Sequence, residues 1–433
     1  MTETIPTRIT RKTSSAPQAI TADICVVGAG ISGISAAIEA ARLGRRTVLV
    51  DAAPKIGGQA IGSIVGTLIG LFTHGPDAYQ IIHGLAAEMV DDLAVEGAMV
   101  QRRSTKTGTL TYQYDEVRLQ RWIERKLTEA GVTILVGASL TNAVMDGRRL
   151  TKIGLATRYG SVEVSATGFV DASGDAALAW EAGLPTREPE EPIYGSMNFL
   201  IENYNLEAVK SLSMPEVSAQ LRAEGAEFGL VRHEGFLMPM PGMNVMLANI
   251  THFETPLDPI AAAAMVITGH AQGDAVLRFL KAKFPAIFGN ARIRAYGNPG
   301  IRQTRWIVGR HQLSLDEIRA GERPVDAVTR CAWWVELHDT REETHWEAFP
   351  DNHVYYIPLG CMVPADADNI VAAGRCVDAD SHALSAIRVM GPCIAMGVAA
   401  AHALDLAGTG SVAQLDLAAL QTRLTGNLDA RAA

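Results

Sequence analysis

Residues 23–51 read DICVVGAGISGISAAIEAARLGRRTVLVD, and this stretch decides the fold. An apolar run at 24–27 is short enough to be one buried parallel strand. After a glycine turn, an alanine-rich pattern predicts a helix over 32–43. A second apolar run at 47–50 predicts another strand, which ends on Asp51. The order of strand, G-x-G-x-x-G turn, helix, strand and acid predicts a βαβ unit that binds a dinucleotide.

Each of the three glycines in the turn has an expected structural role. Gly28 allows a tight turn, Gly30 lets the backbone approach a pyrophosphate, and Gly33 lets the helix pack closely on the strand. The helix begins near Ser32, and its unpaired N–H groups and partial positive charge suit a diphosphate. Asp51 lies where a carboxylate can accept both hydroxyls of a ribose. The alternative is a purely structural turn in an α/β domain.

Composition narrows the class of protein. A chain of 433 residues, with 48% hydrophobic and 20% charged residues, indicates a globular protein of two lobes. A formal net charge of −9 argues against a nucleic-acid partner. The longest apolar stretch, at 60–72, is too short to cross a membrane. Residues 1–20 carry no apolar segment typical of a secretory signal, so we expect a mobile N-terminal tail there.

The cysteines indicate the compartment. Their number is odd and none belongs to a C-x-x-C pair, which argues against a dithiol centre or a locally spaced iron–sulfur cluster. A dispersed set of this kind is typical of a reducing cytoplasm. The five are Cys25, Cys331, Cys361, Cys376 and Cys393.

Changes of amino-acid composition along the chain indicate where one lobe ends and the other begins. Prolines and acids cluster at 185–192, and the apolar, alanine-rich composition of the first part returns near the C-terminus. We therefore expect a discontinuous dinucleotide-binding domain from 21–184 and 361–433. Residues 185–360 then form a second α+β domain that covers the substrate. Within it, the pattern at 304–321 predicts a helix.

A glycine-spaced segment follows the second strand. Gly57 and Gly58 are followed by four more glycines at Gly62, Gly66, Gly70 and Gly75. This spacing fits close helix packing, and it also fits a backbone that passes close to a flat ligand. Next to a dinucleotide turn, the second interpretation is favoured.

Three separated blocks resemble one known family. They are GAGISG…VLVD…IGGQ near the N-terminus, DASGDAALAWEAG from residue 171, and AAGRCVDADSHALSAIRVMGPCIAMGVAAAHA from residue 372. Together they resemble the bacterial FAD-dependent oxidoreductases with a glutathione-reductase-like fold, a family related to the flavin part of heterodisulfide reductase. The resemblance covers most of residues 22–408. It implies an α/β fold with a Rossmann-like FAD-binding domain, and FAD as the cofactor.

The resemblance also implies roles for particular residues. Asp175 would bind the ribityl or pyrophosphate part of FAD, although a helix N-cap is the alternative for this residue. The helix after Met390 would direct its N-terminus at the flavin N1–C2 carbonyl. The residues implied in cofactor binding are Gly28, Gly30, Ser32, Gly33, Asp51, Lys55, Gly57, Gly58, Gln59, Asp175, Gly374, Arg375, Arg388, Met390 and Gly391.

Catalytic candidates follow from the chemistry that a flavin enzyme needs. A single dinucleotide turn indicates that electrons come from the substrate rather than from a nicotinamide domain, and a group near flavin N5 must polarise or deprotonate that substrate. The candidates are His338, His382, Arg302 and Tyr356. For each of them a structural role is the alternative. Spacing among the acids and histidines matches no metal motif, so no metal is expected.

Arginine pairing leaves a further choice open. Arg302 and Arg305 are three residues apart on a stretch with helical spacing, so one face can hold both against a substrate carboxylate. Equally, the two can pair with Glu336 or Asp339.

The sequence thus predicts a cytoplasmic flavoprotein that oxidises a small organic substrate by hydride transfer to flavin N5, with oxygen or another acceptor taking the electrons. The alternatives are an NAD(P)H-dependent flavin monooxygenase and a flavin-binding electron-transfer subunit of a complex. No stoichiometry follows from the sequence, which is compatible with a homo-oligomer.

Overall fold

The computed structural model describes residues 7–9, 16–104, 108–240 and 242–429. Its strands are β1 Gln18–Val27, β2 Thr47–Asp51, β3 Thr67–Leu68, β4 Met99–Arg103, β5 Leu110–Tyr114, β6 Thr133–Val136, β7 Ser139–Asp146, β8 Arg149–Thr157, β9 Gly160–Asp171, β10 Thr186–Arg187, β11 Phe199–Glu202, β12 Phe236–Pro239, β13 Val245–Asn249, β14 Arg292–Tyr296, β15 Trp306–Ile307, β16 Ala327–Cys331, β17 Val335–Leu337, β18 His345–Glu347, β19 Tyr355–Pro358 and β20 Ile370–Ala372.

Helices alternate with these strands. They are α1 Ile31–Arg42, α2 Gly58–Gly62, α3 Leu85–Val95, α4 Glu116–Glu129, α5 Ala177–Glu181, α6 Met214–Glu224, α7 Pro259–Lys283, α8 Pro285–Phe288, α9 Leu315–Ala320, α10 Ser381–Ile387, α11 Met390–Ala407, α12 Leu417–Arg423 and α13 Thr425–Leu428.

The fold is α/β, and its main sheet is a mixed sheet of seven strands with parallel strands at its centre, as the βαβ pattern predicts. Its order is β6-β2-β1-β9-β8-β7, and β20 also pairs with β9. The pairs β1–β2, β2–β6, β1–β9 and β9–β20 are parallel, whereas β7, β8 and β9 form an antiparallel meander. Because β1, β2, β9 and β20 run in one direction, Val27, Asp51, Asp171 and Ala372 all lie at the same edge of the sheet.

The last residues of the predicted mobile tail at 1–20 are part of a strand instead. Gln18, Ala19 and Ile20 belong to β1 and pair with β9, because the strand extends beyond its apolar core. Residues 1–6 and 10–15 of the expected tail lie outside the described residues.

A second antiparallel sheet, β12-β13-β11-β14, carries α6 and α7. Its hydrophobic core draws on residues between Phe199 and Ile293, packed with the faces of these two helices. Residues 306–359, by contrast, contribute to the main core together with α1 and α11. The expected boundaries at 185 and 360 therefore do not coincide with the division between the cores. We use "second lobe" for residues 193–301 and "first lobe" for the remainder.

The helix predicted over 304–321 is wrong over most of its length. Trp306 and Ile307 form β15, which pairs antiparallel with β10, and only Leu315–Ala320 is helical. Its start at Ser314 is set by a capping box with Glu317. In the glycine-spaced segment two later members pack closely on side chains, since a Cβ on Gly66 would lie 2.6 Å from the Leu247 side chain and one on Gly70 would lie 2.7 Å from that of Val389. These glycines allow close packing against both lobes.

Two helices pass a length and composition test for membrane spans within the described residues. The most apolar window of α11 is 72% buried and that of α7 is 28% buried. Two such helices are weak evidence, because a core helix of a globular fold passes the same test. For α11 the reason is visible, since a Cβ on its Gly397 would lie 2.1 Å from the Ser32 carbonyl oxygen of α1.

Candidate functional site

The glycine turn is shaped by its surroundings. Gly28 has a φ of +105°, and a Cβ there would lie 2.2 Å from the Ala172 carbonyl oxygen. A Cβ on Gly33 would lie 1.9 Å from the Gly28 carbonyl oxygen, so α1 begins in direct contact with the turn. Gly30 differs from these two glycines, because a Cβ at this position would have no atom of a residue beyond its chain neighbours within 4 Å. The first and third glycines are thus required by the fold, whereas Gly30 faces open space.

Asp51 is tied to the same turn. Its Oδ2 accepts from the Ala29 backbone N–H at 2.6 Å, and its Oδ1 accepts from the Ala53 backbone N–H at 2.7 Å. Gly58 closes the turn from the other side, since a Cβ there would lie 2.6 Å from the Gly30 Cα. The carboxylate is therefore held beside the open space at Gly30.

Other residues of this segment have different surroundings. The Gly57 N–H donates to the Ala29 carbonyl at 2.9 Å. Lys55 is exposed. The Gln59 Nε2 donates to the Ile301 carbonyl at 2.8 Å, so this side chain joins the two lobes.

The N-cap alternative for Asp175 is wrong. Helix α5 has no side-chain cap of its own; instead Ser173 Oγ accepts from the Ala177 N–H at 2.8 Å and Asp171 Oδ2 accepts from the Ala179 N–H at 3.0 Å. Asp175 turns the other way, accepts from the Thr304 hydroxyl, and lies 3.9 Å from Arg375 Nη1. Its carboxylate is therefore available at the sheet edge.

Gly374 and Arg375 complete this edge. A Cβ on Gly374 would lie 2.5 Å from Ser32 Oγ, and one on Gly174 would lie 2.3 Å from Arg375 Nη2. Arg375 Nη1 is buried and has no hydrogen-bond partner in the described structure. A buried guanidinium donor without an acceptor is costly unless a ligand supplies one.

These observations fit a bound dinucleotide. The turn leaves room at Gly30, no side chain caps the start of α1 among the described residues, and Arg375 offers an unused donor. Open N–H groups at a helix N-terminus attract a diphosphate. The sheet edge therefore has the donors, the acid and the space that FAD requires.

The start of α11 departs from expectation. The Gly391 N–H already donates to the Ile69 carbonyl at 2.9 Å, and Pro392 has no N–H. Of the first three residues, only Met390 keeps an N–H outside these bonds. The helix terminus predicted to face the flavin thus offers a single donor, because the glycine-spaced segment occupies the next one.

A second group of side chains lies between the lobes. His338 Nδ1 lies 3.1 Å from His252 Nε2 and 3.3 Å from Thr344 Oγ1, whereas its Nε2 lies 3.4 Å from Glu336 Oε1. His252 Nδ1 lies 2.9 Å from the Arg341 carbonyl oxygen. The chain Glu336–His338–His252 therefore runs from a half-buried carboxylate, through two buried rings, to the backbone carbonyl of Arg341.

Hydrogen-bond partners assign the protons in this chain. The Arg341 carbonyl can only accept, so His252 Nδ1 carries a proton and His252 Nε2 accepts from His338 Nδ1. Burial, with Arg232 and Arg302 nearby, lowers the pKa of His252 to about 2, and the same causes hold the pKa of His338 well below its usual range. Both rings are therefore neutral, and His338 Nε2, which lies 3.4 Å from Glu336 Oε1, is the nitrogen of that ring without a proton.

Arg302 belongs to a cluster of three arginines. Ser196 Oγ accepts from Arg302 Nη2 at 3.0 Å and from Arg232 Nη1 at 3.2 Å, so the two cations share one neutral hydroxyl. Arg388 Nη2 donates to the Glu336 backbone carbonyl at 2.9 Å. Burial, and repulsion from Arg388 and Arg232, hold the pKa of Arg302 well below its usual range.

Two predicted catalytic residues lie elsewhere. Tyr356 contacts Arg323, 5.6 Å from its ring centre, and lines a separate cavity with His353 and Asp429. The His382 ring lies 6.1 Å from that of His345, between ring centres. Within the described residues, neither side chain has a hydrogen bond, ion pair or ring contact with His338 or Arg302. Strand β19 presents Tyr356 away from the lobe junction, and the first turn of α10 directs His382 toward β18.

Arg305 does not join Arg302 either. Its guanidinium lies 4.4 Å from the centre of the Trp180 ring. The predicted pairing required a helix at 302–305, and this segment is extended or irregular instead.

Sequence reasoning missed His252 and Arg232. Both lie in the second lobe, far along the chain from His338 and Arg302, and no motif surrounds them. The only available signal was their residue type, which is common on surfaces. Pairing of β11 with β13 is what brings Ser196 and His252 to the lobe junction.

Comparison with known proteins identifies the class. The sequence model of the family "FAD dependent oxidoreductase" matches residues 23–424, so the chain belongs to this family of flavoproteins. The protein is an enzyme, and its cofactor is FAD.

Individual relatives are distant. Gamma-glutamylputrescine oxidoreductase of Escherichia coli K12 is 32% identical over 99 residues, a match that spans 23% of this chain and 22% of that enzyme. Among solved structures, p-nitrophenol 4-monooxygenase from Pseudomonas putida has 10% identity and a TM-score of 0.47, covering 95% of this chain and 83% of its own. A geranylgeranyl bacteriochlorophyll reductase-like protein from Thermoplasma acidophilum has 12% identity and a TM-score of 0.45, with coverages of 90% and 78%. Such distant structures do not bear on the substrate.

Proposed function

We propose that this enzyme is a substrate-driven dehydrogenase or oxidase that oxidises a small organic molecule by hydride transfer. The observation that carries the proposal is the Glu336–His338–His252 chain at the lobe junction, in which the unprotonated Nε2 of neutral His338 lies 3.4 Å from Glu336 Oε1. When bound, FAD supplies a two-electron acceptor at its N5. Oxygen or another acceptor then receives the electrons.

Glu336 and His338 divide the handling of the substrate proton. The Glu336 side chain is partly exposed, whereas that of His338 is almost wholly buried, so Glu336 is the member that can reach a substrate. A proton leaving a substrate amine or hydroxyl would be shared between Glu336 Oε1 and His338 Nε2. Trp333 Nε1 donates to Glu336 Oε2 at 3.1 Å and holds the carboxylate in place. Proton removal by a positioned carboxylate contributes a factor of about 10² to 10⁴ in rate.

The cofactor residues support a specific mode of binding. Gly30, Ser32 and the start of α1 would hold the pyrophosphate, Asp51 the adenosine ribose, and Asp175 with Arg375 the ribityl side. The parallel sheet with an added β-meander and β20 supports the finer assignment to the glutathione-reductase-like flavoproteins related to the flavin part of heterodisulfide reductase.

Location and assembly are also proposals. All five cysteines are free and buried, which supports a reducing cytoplasm. A homo-oligomer is compatible with the fold and awaits a measurement of mass in solution.

An absorption spectrum under anaerobic conditions tests the function. A panel of alcohols and amines should include a compound that bleaches the flavin bands, while NADPH alone leaves them intact. Bleaching by NADPH and by no member of the panel would move the assignment to the monooxygenase. A Glu336→Gln variant should hold FAD normally and be reduced by the active compound at least about a hundredfold more slowly. Equal reduction rates in the variant and the wild type would contradict the role of Glu336.

A further inference from the structure

The cluster of three arginines has more positive charge than its surroundings neutralise. Among the described residues, none of Arg232, Arg302 and Arg388 forms an ion pair. The acids whose charge acts on Arg302 are Glu336 and Glu234, and both histidines are neutral. Three guanidinium groups thus lie together with no carboxylate paired to any of them among the described residues, and this leaves the cluster with a surplus of positive charge. Buried charge of this kind is costly unless an anion joins it.

Unused donors accompany the surplus charge. Arg232 is 6% exposed, and its Nε is buried without a hydrogen-bond partner. The Nε of Arg388 is also buried and unpartnered. The bonds that Arg232 and Arg302 do form go to neutral acceptors, namely Ser196, Asn249 and two backbone carbonyls. A carboxylate would accept the remaining N–H groups and would cancel the surplus at the same time.

The position of the cluster relates it to the reaction. Arg302 follows Ile301, whose carbonyl accepts from Gln59 of the first lobe, and precedes Thr304, which contacts Asp175. Arg388 follows the last residue of α10 and lies two residues before the start of α11. The cluster therefore lies where the second lobe meets the residues that we assign to FAD, on the same side as Glu336.

We propose that Arg232, Arg302 and Arg388 bind a carboxylate of the substrate, so that the enzyme oxidises a small carboxylic acid at a neighbouring amine or alcohol carbon. This inference rests on the proposed function and specifies its substrate class. The planar fork of arginine suits a carboxylate, and the unused Nε donors of Arg232 and Arg388 would bind its oxygens. Bound carboxylate would also relieve the repulsion that depresses the His338 affinity for a proton, so substrate binding would prepare Glu336 and His338 to accept one.

Binding of simple acids to the FAD-loaded enzyme tests the inference without turnover. The probes are acetate, propionate and benzoate, each compared with its amide. We expect the acids to shift the flavin bands and to raise the melting temperature, and the amides to do neither. Arg302→Gln and Arg232→Gln should each weaken acid binding by about tenfold or more. Arg294→Gln, which removes an exposed partner of Glu202, is the matched control and should bind as the wild type does.

The outcomes separate the two proposals. Equal effects of acids and amides, or unchanged acid binding by an FAD-loaded Arg232→Gln variant, would overturn the carboxylate site. If Arg302→Gln fails to hold FAD, Arg232→Gln decides, since Arg232 lies in the second lobe. Bleaching of the flavin by an uncharged substrate, with no binding of acids, would overturn this inference alone. Acid binding combined with reduction by NADPH only would instead overturn the proposed function.

Discussion

Gly30 differs from its neighbouring glycines in what a side chain would meet. Gly30→Val should abolish FAD binding, because the new methyl groups would fill the space that the pyrophosphate needs. The FAD-free variant should unfold within about 0.5 kcal/mol of FAD-free wild type, since the position has ordinary backbone angles and open surroundings. Flavin titration and denaturant unfolding of both proteins provide the check.

Gly28→Ala is the informative companion variant. Its Cβ would lie 2.2 Å from a backbone oxygen at a φ of +105°, so it should destabilise even the FAD-free protein by about 2 kcal/mol or more. Full retention of flavin by Gly30→Val would refute the cofactor site at this turn.

The two buried histidines should make the enzyme sensitive to mild acid. Their folded pKa values are lowered, so below an unfolded value of about 6.5 the unfolded chain binds protons that the folded chain does not. The free energy of unfolding is therefore highest above this pH, and it falls as the pH drops below it. Between pH 6.5 and 5.5 the loss should be about 1 kcal/mol for each histidine.

His252→Gln should remove about half of this loss, and urea unfolding at several pH values would measure it. Identical pH slopes for the variant and the wild type would show that His252 is not held neutral in the folded protein.

At the scale of elements, α1 and α11 approach so closely that only glycine fits between them. Gly397→Ala would place a Cβ 2.1 Å from the Ser32 carbonyl oxygen, which is backbone and cannot rotate away. We expect a loss of about 2 kcal/mol in the free energy of unfolding and weaker FAD binding, because α1 carries the glycine turn. Gly269→Ala in α7 is the comparison, since it meets the flexible side chain of Met197. It should cost less and leave FAD binding unchanged; equal costs would contradict this packing argument.

Elements with a strong local pattern were predictable, and long-range pairings were not. The β1–α1–β2 unit has apolar runs and helical periodicity of its own, and it lies within two residues of expectation at most boundaries. The segment around Trp306 was predicted to be helical because apolar residues recur there at helical spacing. Its structure is decided by β10, more than a hundred residues earlier, and this pairing leaves no local signal.

Site residues follow the same rule. Gly28, Gly30, Asp51 and Asp175 lie next to strand ends in recognisable motifs, so their neighbourhood could be predicted from sequence. The arginine cluster and the histidine pair assemble from two lobes. For that reason only His338 and Arg302 were identified, while their partners Arg232 and His252 were not.

At the scale of the whole molecule, each lobe has a hydrophobic core of its own. A substitution in one core should therefore destabilise mainly the lobe that contains it. Phe279 is fully buried in the core of the second lobe, and Phe169 is fully buried in the first. Phe279→Ala should cost about 3 to 5 kcal/mol and accelerate hydrogen exchange mainly within 193–301. Phe169→Ala should cost as much but accelerate exchange in β1 and β9 and release FAD. Uniform acceleration across both lobes in the Phe279→Ala protein would show that the cores open as one unit.

The division into two lobes has a consequence for optical and chemical probes. All six tryptophans, at positions 122, 180, 306, 333, 334 and 346, lie outside 193–301, and so do all five cysteines. Indole fluorescence and thiol labelling therefore report on the first lobe alone, and a rearrangement confined to the second lobe would be silent in both. A single tryptophan introduced on α7 would provide a fluorescence signal from the second lobe, in a region that contains no other tryptophan.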